Sequence, residues 1–185
     1  MKWLCSMAAM GLLAGCGSSG GQTSEDRALD AAALEDSLAQ ENISNPAALP
    51  SKGTAEYRGF MTLALPIDGA ATDYVGDLDM VVDFGAPRNQ VSGAVGNFDG
   101  LSGELSIGGG DVDRGTDVDV DFTFDGGLTG TLMQGADAYA IDGNIVGEFR
   151  GRNQDGLTGL IYGDIDGPDG QDLFQGSMAA TRSEN

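Results

Sequence analysis

The side chains that could carry chemistry in this chain are of nearly one kind. There is no histidine, and the two cysteines, Cys5 and Cys16, both sit near the N-terminus. Histidine is the usual general base near neutral pH and the commonest metal ligand, so its absence removes Ser/His and Cys/His catalysis and ordinary zinc sites. With no cysteine beyond position 16, the folded part has no disulfide framework. Carboxylates remain, 29 acidic residues against 9 basic ones. They gather in two loops, one holding Asp111, Asp113 and Asp117 around Arg114 and Gly115, the other Asp164, Asp166, Asp169 and Asp172 around Gly167, Pro168 and Gly170. Oxygen ligands at alternate positions with glycine turns are what a calcium site needs, which makes Asp164, Asp166, Asp169 and Asp172 the candidate ligand or calcium loop. Neither loop has the D-x-[DN]-x-[DN]-G spacing and Pro168 interrupts the second, so the spacing favours solvated hairpin turns. Paired carboxylates can also serve acid-catalysed hydrolysis, but no cleft is evident, and the reading is of a non-enzyme without a bound cofactor. Arg58, Arg88, Arg150 and Arg152 can bind an anion or pair with the aspartates; surface pairing is the simpler role and contributes little. Haem would need tyrosine or methionine as axial ligand, and the sequence offers no site for it.

The formal net charge of −20 bears on partners. So acidic a surface repels phosphate backbones, which excludes nucleic-acid binding, and it repels anionic headgroups, so a membrane must be reached by something other than a basic patch. The N-terminus supplies that. Met1-Lys2 precedes a mostly apolar run over 3–13, of signal-peptide length and too short to span a bilayer. It ends in Leu13-Ala14-Gly15-Cys16, which resembles a bacterial lipobox. Small residues at Ala14 and Gly15 suit a narrow peptidase site, and the Cys16 thiol would take diacylglycerol and acyl chains, enough for stable anchoring. Residues 1–15 would then be a signal peptide, removing Cys5, and Gly17 after the cysteine favours the outer membrane.

Stepping along from Cys16, residues 16–52 read as a lipidated tether. Gly17 to Gln22 is rich in glycine and serine. Ser24 followed by Glu25 and Asp26 predicts a helix start, with a marginal helix at 25–40 whose stripe (Ala28, Leu29, Ala32, Ala33, Leu38) is mostly alanine. Asn45-Pro46 and Leu49-Pro50 then break the chain. From Gly53 to 185 the period is two. Tyr57, Met61, Leu63 and Leu65 share one face, and Leu78, Met80, Val82 and Phe84 alternate with Asp77, Asp79 and Asp83. Val118, Val120, Phe122 and Phe124 alternate likewise, and apolar pairs flank Gly93, Gly103 and Gly130. The closing stretch repeats apolar-x-Gly-x-apolar: Ile141, Gly143, Ile145, Gly147 and Phe149; Leu157, Gly159, Ile161 and Gly163; Phe174, Gly176 and Met178. Asp99-Gly100, Asp125-Gly126-Gly127, Asp155-Gly156 and Asp166-Gly167 predict hairpin turns between the runs. Nine runs are visible, the weakest at 101–107. The expectation is an all-β domain, a single small antiparallel up-and-down barrel of about eight strands. Inward glycines would let strands bend and make room for large neighbours such as Phe149 or Phe174, filling the interior rather than opening a cavity. A membrane-spanning barrel would need its apolar face outward and these aspartates in the lumen, which an eight-stranded barrel cannot hold.

Gly147-Glu148-Phe149-Arg150-Gly151, Gly159, and Phe174-x-Gly176-x-x-Ala179-Ala180-x-Arg182 are similar to the end of the β-barrel domains of transferrin-binding protein B and factor H-binding protein. Those domains close with a Gly-x-Phe-x-Gly hairpin, a glycine-rich strand and a Phe-Gly-Ala-x-Arg-like last strand. The likeness covers residues 53–182 in pattern and 147–182 in motif. It departs from the family at Asn153-Gln154-Asp155, in having Gly159 where the family has a Gly-Gly pair, and in lacking a companion handle domain. The resemblance implies a surface lipoprotein of a Gram-negative outer membrane. It does not carry over transferrin or factor H binding, because the docking loops have no counterpart here. The functional expectation is a monomeric, non-enzymatic binding or surface-interaction module, whose partner is an extracellular protein or a small solute. The alternatives are a carrier for a metal ion or haem, and a structural envelope lipoprotein without a specific ligand.

Overall fold

The computed structural model describes residues 23–67, 69–115 and 122–183. Eight strands follow one another: β1 (Thr54–Leu65), β2 (Thr72–Asp83), β3 (Val91–Gly96), β4 (Ser102–Gly110), β5 (Phe124–Gln134), β6 (Asp137–Arg150), β7 (Gly156–Gly167) and β8 (Gly170–Arg182). Each pairs antiparallel with the next, and β8 returns to β1 with Met61 opposite Met178, so the sheet closes into an up-and-down barrel. Closure leaves no free sheet edge along the barrel.

Alternation decides which side chains enter. Tyr57, Met61, Leu63, Leu65, Leu78, Met80, Leu105, Leu128, Leu132, Ile145, Phe124 and Phe149 are fully buried in one continuous core. Phe149 sits among Tyr57, Phe84 and Phe124, with ring centroids 6.1, 5.7 and 5.3 Å away. Aromatic packing of this kind adds roughly 0.5–1.5 kcal/mol per pair beyond area burial. The glycine repeat is a packing device, as expected. A Cβ on Gly147 would fall on the Phe124 ring and one on Gly143 on the Phe174 ring. The expected partner Phe174 is thus correct.

The eight strands match the expected barrel, and the runs and turns differ in detail. Of the run at 118–124, Phe124 opens β5, Phe122 and Thr123 precede it outside any strand, and residues 118–121 lie outside the described residues. The run thought weakest is a full strand, β4. Asp125-Gly126-Gly127 lies within β5 rather than in a turn, and the β7–β8 turn is centred on Pro168 and Asp169 with Gly167 opposite Gly170.

A helix, α1 (Ser24–Ala39), precedes the barrel at the predicted position but starts from Thr23 rather than from Ser24. The cap sits there because Asp26 stands three residues on. The Thr23 hydroxyl accepts from Asp26 N, and the Asp26 carboxylate accepts from Thr23 N and Oγ1, at 3.2, 3.2 and 2.8 Å. From Ser24 the same reciprocal box would need an acceptor at Arg27, which has none. These hydrogen bonds also hold the Asp26 carboxyl below its ordinary pKa.

The helix lies on the outer wall of β1, β2, β7 and β8. Its Ala31 and Leu38 are buried against the barrel, and Leu38 rests where a side chain on Gly156 would be. The chain then crosses one end of the barrel. Ile43 bridges Arg150, Ser44 N donates to Phe149 O at 2.8 Å, Gly151 N donates to Asn42 O at 2.9 Å, and Leu49 is buried. Arg114 holds this strap from outside, donating to Pro50 O at 2.8 Å and to Phe84 O at 3.1 Å. Among the described residues, no helix is long and apolar enough to cross a membrane.

Candidate functional site

Leu13, Ala14, Gly15 and Cys16 lie outside the described residues. The acidic hairpin is described, and its carboxylates do not converge. Asp164 and Asp166 project from the outer face of β7, whereas Asp172 is opposite inward-facing Ile165 and so lies on the other face of the ribbon. Asp169 is in the exposed turn. The Asp172 carboxylate accepts from Leu173 N at 2.7 Å. Among the described residues, no group of three or more Asp, Glu, His or Cys side chains is placed to hold a metal ion. In the other loop Asp117 lies outside the described residues, and Asp111 and Asp113 cap backbone: Asp111 Oδ1 accepts from Asn89 N at 2.9 Å and Asp113 Oδ1 from Gly115 N at 2.6 Å.

The arginines split by environment. Arg58 pairs with Asp79 at 2.9 Å with both side chains about 70 % exposed, a contact of little energetic weight. Arg150 pairs with Glu148 at 2.8 Å, both below 20 % exposed, and donates to Thr158 Oγ1. Arg88 and Arg152 are exposed. The arginine that organises most was not singled out by the sequence. Arg27, only 10 % exposed, donates to Asp77 Oδ1 at 2.7 Å, to Asp99 Oδ1 at 3.2 Å and to Asn97 O. Asp77 also accepts from Asn97 Nδ2 at 2.9 Å. This clasp ties the first turns of α1 to β2 and the β3–β4 connection. At the other end of the helix, Ser177 Oγ donates to Glu35 Oε2 at 3.0 Å.

The helix covers only part of the wall. Ala179 and Val75, which point outward, are buried under it. The neighbouring outward positions are open: Leu160 is 54 % exposed, Tyr162 52 % and Leu173 73 %. Register sets Leu160 beside Ser177 and Thr62, and Tyr162 beside Gln175 and Ala64. Together with Asp73 they form a shallow groove of about 520 Å³. It is continuous, through Thr62, Asp73 and Ser177, with a second of about 340 Å³ that runs under Ser24, Ala28, Ala32 and Glu35 of α1. A third depression, lined by Glu35, Ala39, Glu148, Arg150 and Leu160, extends it towards β6. The result is a trough along one flank of α1, with small residues on the helix side, an aliphatic and an aromatic side chain at one end, and carboxylates at its margins.

A scan against protein-family models finds no match to this chain, and a search of curated proteins finds none.

Proposed function

We propose that the chain is a lipoprotein of the outer membrane, anchored through Cys16, whose barrel is a non-enzymatic binding or surface-interaction module. The observation that carries the binding part is the filled interior. Tyr57, Phe84, Phe124 and Phe149 pack together inside the barrel, so an interaction has the rims and the outer wall to use. On that wall the trough beside α1 brings exposed Leu160 and Tyr162 together with small helix residues. Anchoring is supported by the lipobox-like Leu13-Ala14-Gly15-Cys16, and the surface-lipoprotein reading by the likeness of 147–182 to transferrin-binding and factor H-binding barrels. Exposed Asp79, Asp142, Asp164 and Asp166 on the outer face argue against acyl chains around the barrel itself.

The test is fractionation together with binding. Cys16→Ser should move the chain from the membrane fraction to the soluble one; unchanged fractionation would sink the anchoring claim. Calorimetry of the same variant with calcium, iron and haem should give no saturable heat. A stoichiometric heat with any of them would replace the interaction module by a solute carrier.

A further inference from the structure

We infer that the trough beside α1 receives a cationic amphipathic helix from a partner protein; this rests on the reading of the barrel as an interaction module and names the chemistry of its partner. The first observation is apolar. Leu160, Tyr162 and Leu173 are three of the five large hydrophobic side chains exposed among the described residues; Leu160 and Tyr162 are outward neighbours on β7 that line the groove, and Leu173 lies diagonally from Tyr162 on β8. Scattered exposed apolar residues are ordinary, whereas adjacent ones beside a groove mark a contact surface.

The second observation is geometric. A closed barrel offers no edge for strand addition, so a partner must pack side chains onto the wall. The wall already holds one helix in this manner, since α1 buries outward-facing Val75 and Ala179. Its free flank presents Ser24, Ala28 and Ala32 along the trough, side chains small enough for a second helix to lie close alongside. From β2 to β7 the trough crosses four strands, roughly 15–20 Å, which ten to thirteen helical residues would cover.

The third observation is charge. Asp73, Glu35 and Asp99 line the trough, Asp142 and Asp164 stand as an opposed pair beyond Tyr162, and the chain as a whole carries −20. A second copy of this chain would meet like charge. A helix with lysine or arginine along its polar face and leucines on the other meets both demands of the site, and an arginine beside Tyr162 gains a cation–π contact.

The experiment uses the full chain carrying Cys16→Ser. The probes are three labelled peptides: an amphipathic lysine/leucine helix, its glutamate/leucine counterpart, and the lysine peptide with a central proline. Fluorescence anisotropy should show binding of the first, with an affinity that falls as salt is raised, and little of the other two. Leu160→Ser with Tyr162→Ser should weaken it at least tenfold. Ala32→Lys, an exposed helix position that leaves the wall untouched, should do the same and guards against misfolding of the double variant. Glu104→Gln with Asp137→Asn removes the same number of charges as Asp73→Asn with Asp164→Asn but away from the trough; the distant pair should change affinity less than twofold and the near pair at least fivefold. Equal binding to all variants, or equal binding of the proline peptide, overturns the proposal in favour of general attraction to an acidic surface. Concentration-dependent dimers abolished by the Leu160 and Tyr162 substitutions overturn it in favour of a second copy, and tighter peptide binding after deletion of 17–22 in favour of the chain's own N-terminal segment. Any of these leaves the fractionation result, and with it the anchoring claim, untouched.

Discussion

Tyr57 is the most informative single residue for solution behaviour. Its ring is fully buried in the aromatic cluster, and its hydroxyl donates to Gln154 O at 2.9 Å. Burial raises the phenol to about 12, the positive Arg182 drawing it down and the negative Asp155 pushing it up. The folded state therefore holds this proton above the pH at which the unfolded chain has released it. The stability from this site is complete below about pH 10 and is lost as pH rises to about 12, amounting to roughly 3 kcal/mol. Urea unfolding at pH 9 and pH 11 should show a lower midpoint at the higher pH. Tyr57→Phe should flatten that difference while costing about 1 kcal/mol at neutral pH for the Gln154 carbonyl left without its donor. Titration of all four tyrosines together near the ordinary phenol value in the folded protein would contradict this. Tyr57 was legible in the sequence as a core residue. Its titration was not, because the Gln154 acceptor lies 97 residues away.

Among the elements, α1 depends on one side chain. Its buried stripe of Ala31 and Leu38 contributes little area, so the Arg27 clasp is the larger fixing contact. Arg27→Ala should cost about 1–3 kcal/mol, because two carboxylates and a carbonyl lose a charged donor. Amide exchange should rise across Ser24–Ala39 and stay slow in β6 and β7; equal acceleration in the barrel would show that helix and barrel unfold as one unit. The helix itself was readable from its acidic, cap-like start, but the expected stripe was not its buried face: Ala28, Leu29, Ala32 and Ala33 are exposed, and Arg27, Ala31 and Leu38 face the barrel. Its seat on the barrel was not readable, since helical patterning places an arginine on the solvent side. The strap over 42–50 was hidden for another reason: its main bonds are backbone to backbone, from Ser44 N to Phe149 O and Gly151 N to Asn42 O, and leave no mark on side-chain types. In the acidic hairpin the sequence shows the carboxylates but not all of their directions. Period-two spacing places Asp164 and Asp166 on one face, and the register that turns Asp172 away is fixed only by the Pro168–Asp169 turn.

For the whole molecule, the closed barrel was legible because inward apolar residues and glycines recur with one period along almost the entire domain, and most connections are too short for a strand to pair with anything but its sequence neighbour. Of the nine runs in the sequence, the one at 118–124 meets the barrel only at Phe124, the first residue of β5, and its residues 118–121 lie outside the described residues. A net charge of −20 on a fold this small carries an energetic penalty of self-repulsion. Raising salt from 10 to 300 mM should therefore raise the thermal midpoint by several degrees, by screening charges beyond roughly 10 Å. A midpoint that falls with salt would show that pairs such as Arg27–Asp77 outweigh the repulsion.

The clasp and strap also fix how a load would enter the protein. A pull through the N-terminal segment is delivered at Thr23, one turn before Arg27, and reaches α1 before any strand. It would peel α1 from its first turn onward, and then the strap, before any strand pair bears tension. Helix and strap together would pay out roughly 100 Å of extended chain. Such a fold yields at its stalk like a spring-loaded leash, while the barrel at its end stays intact.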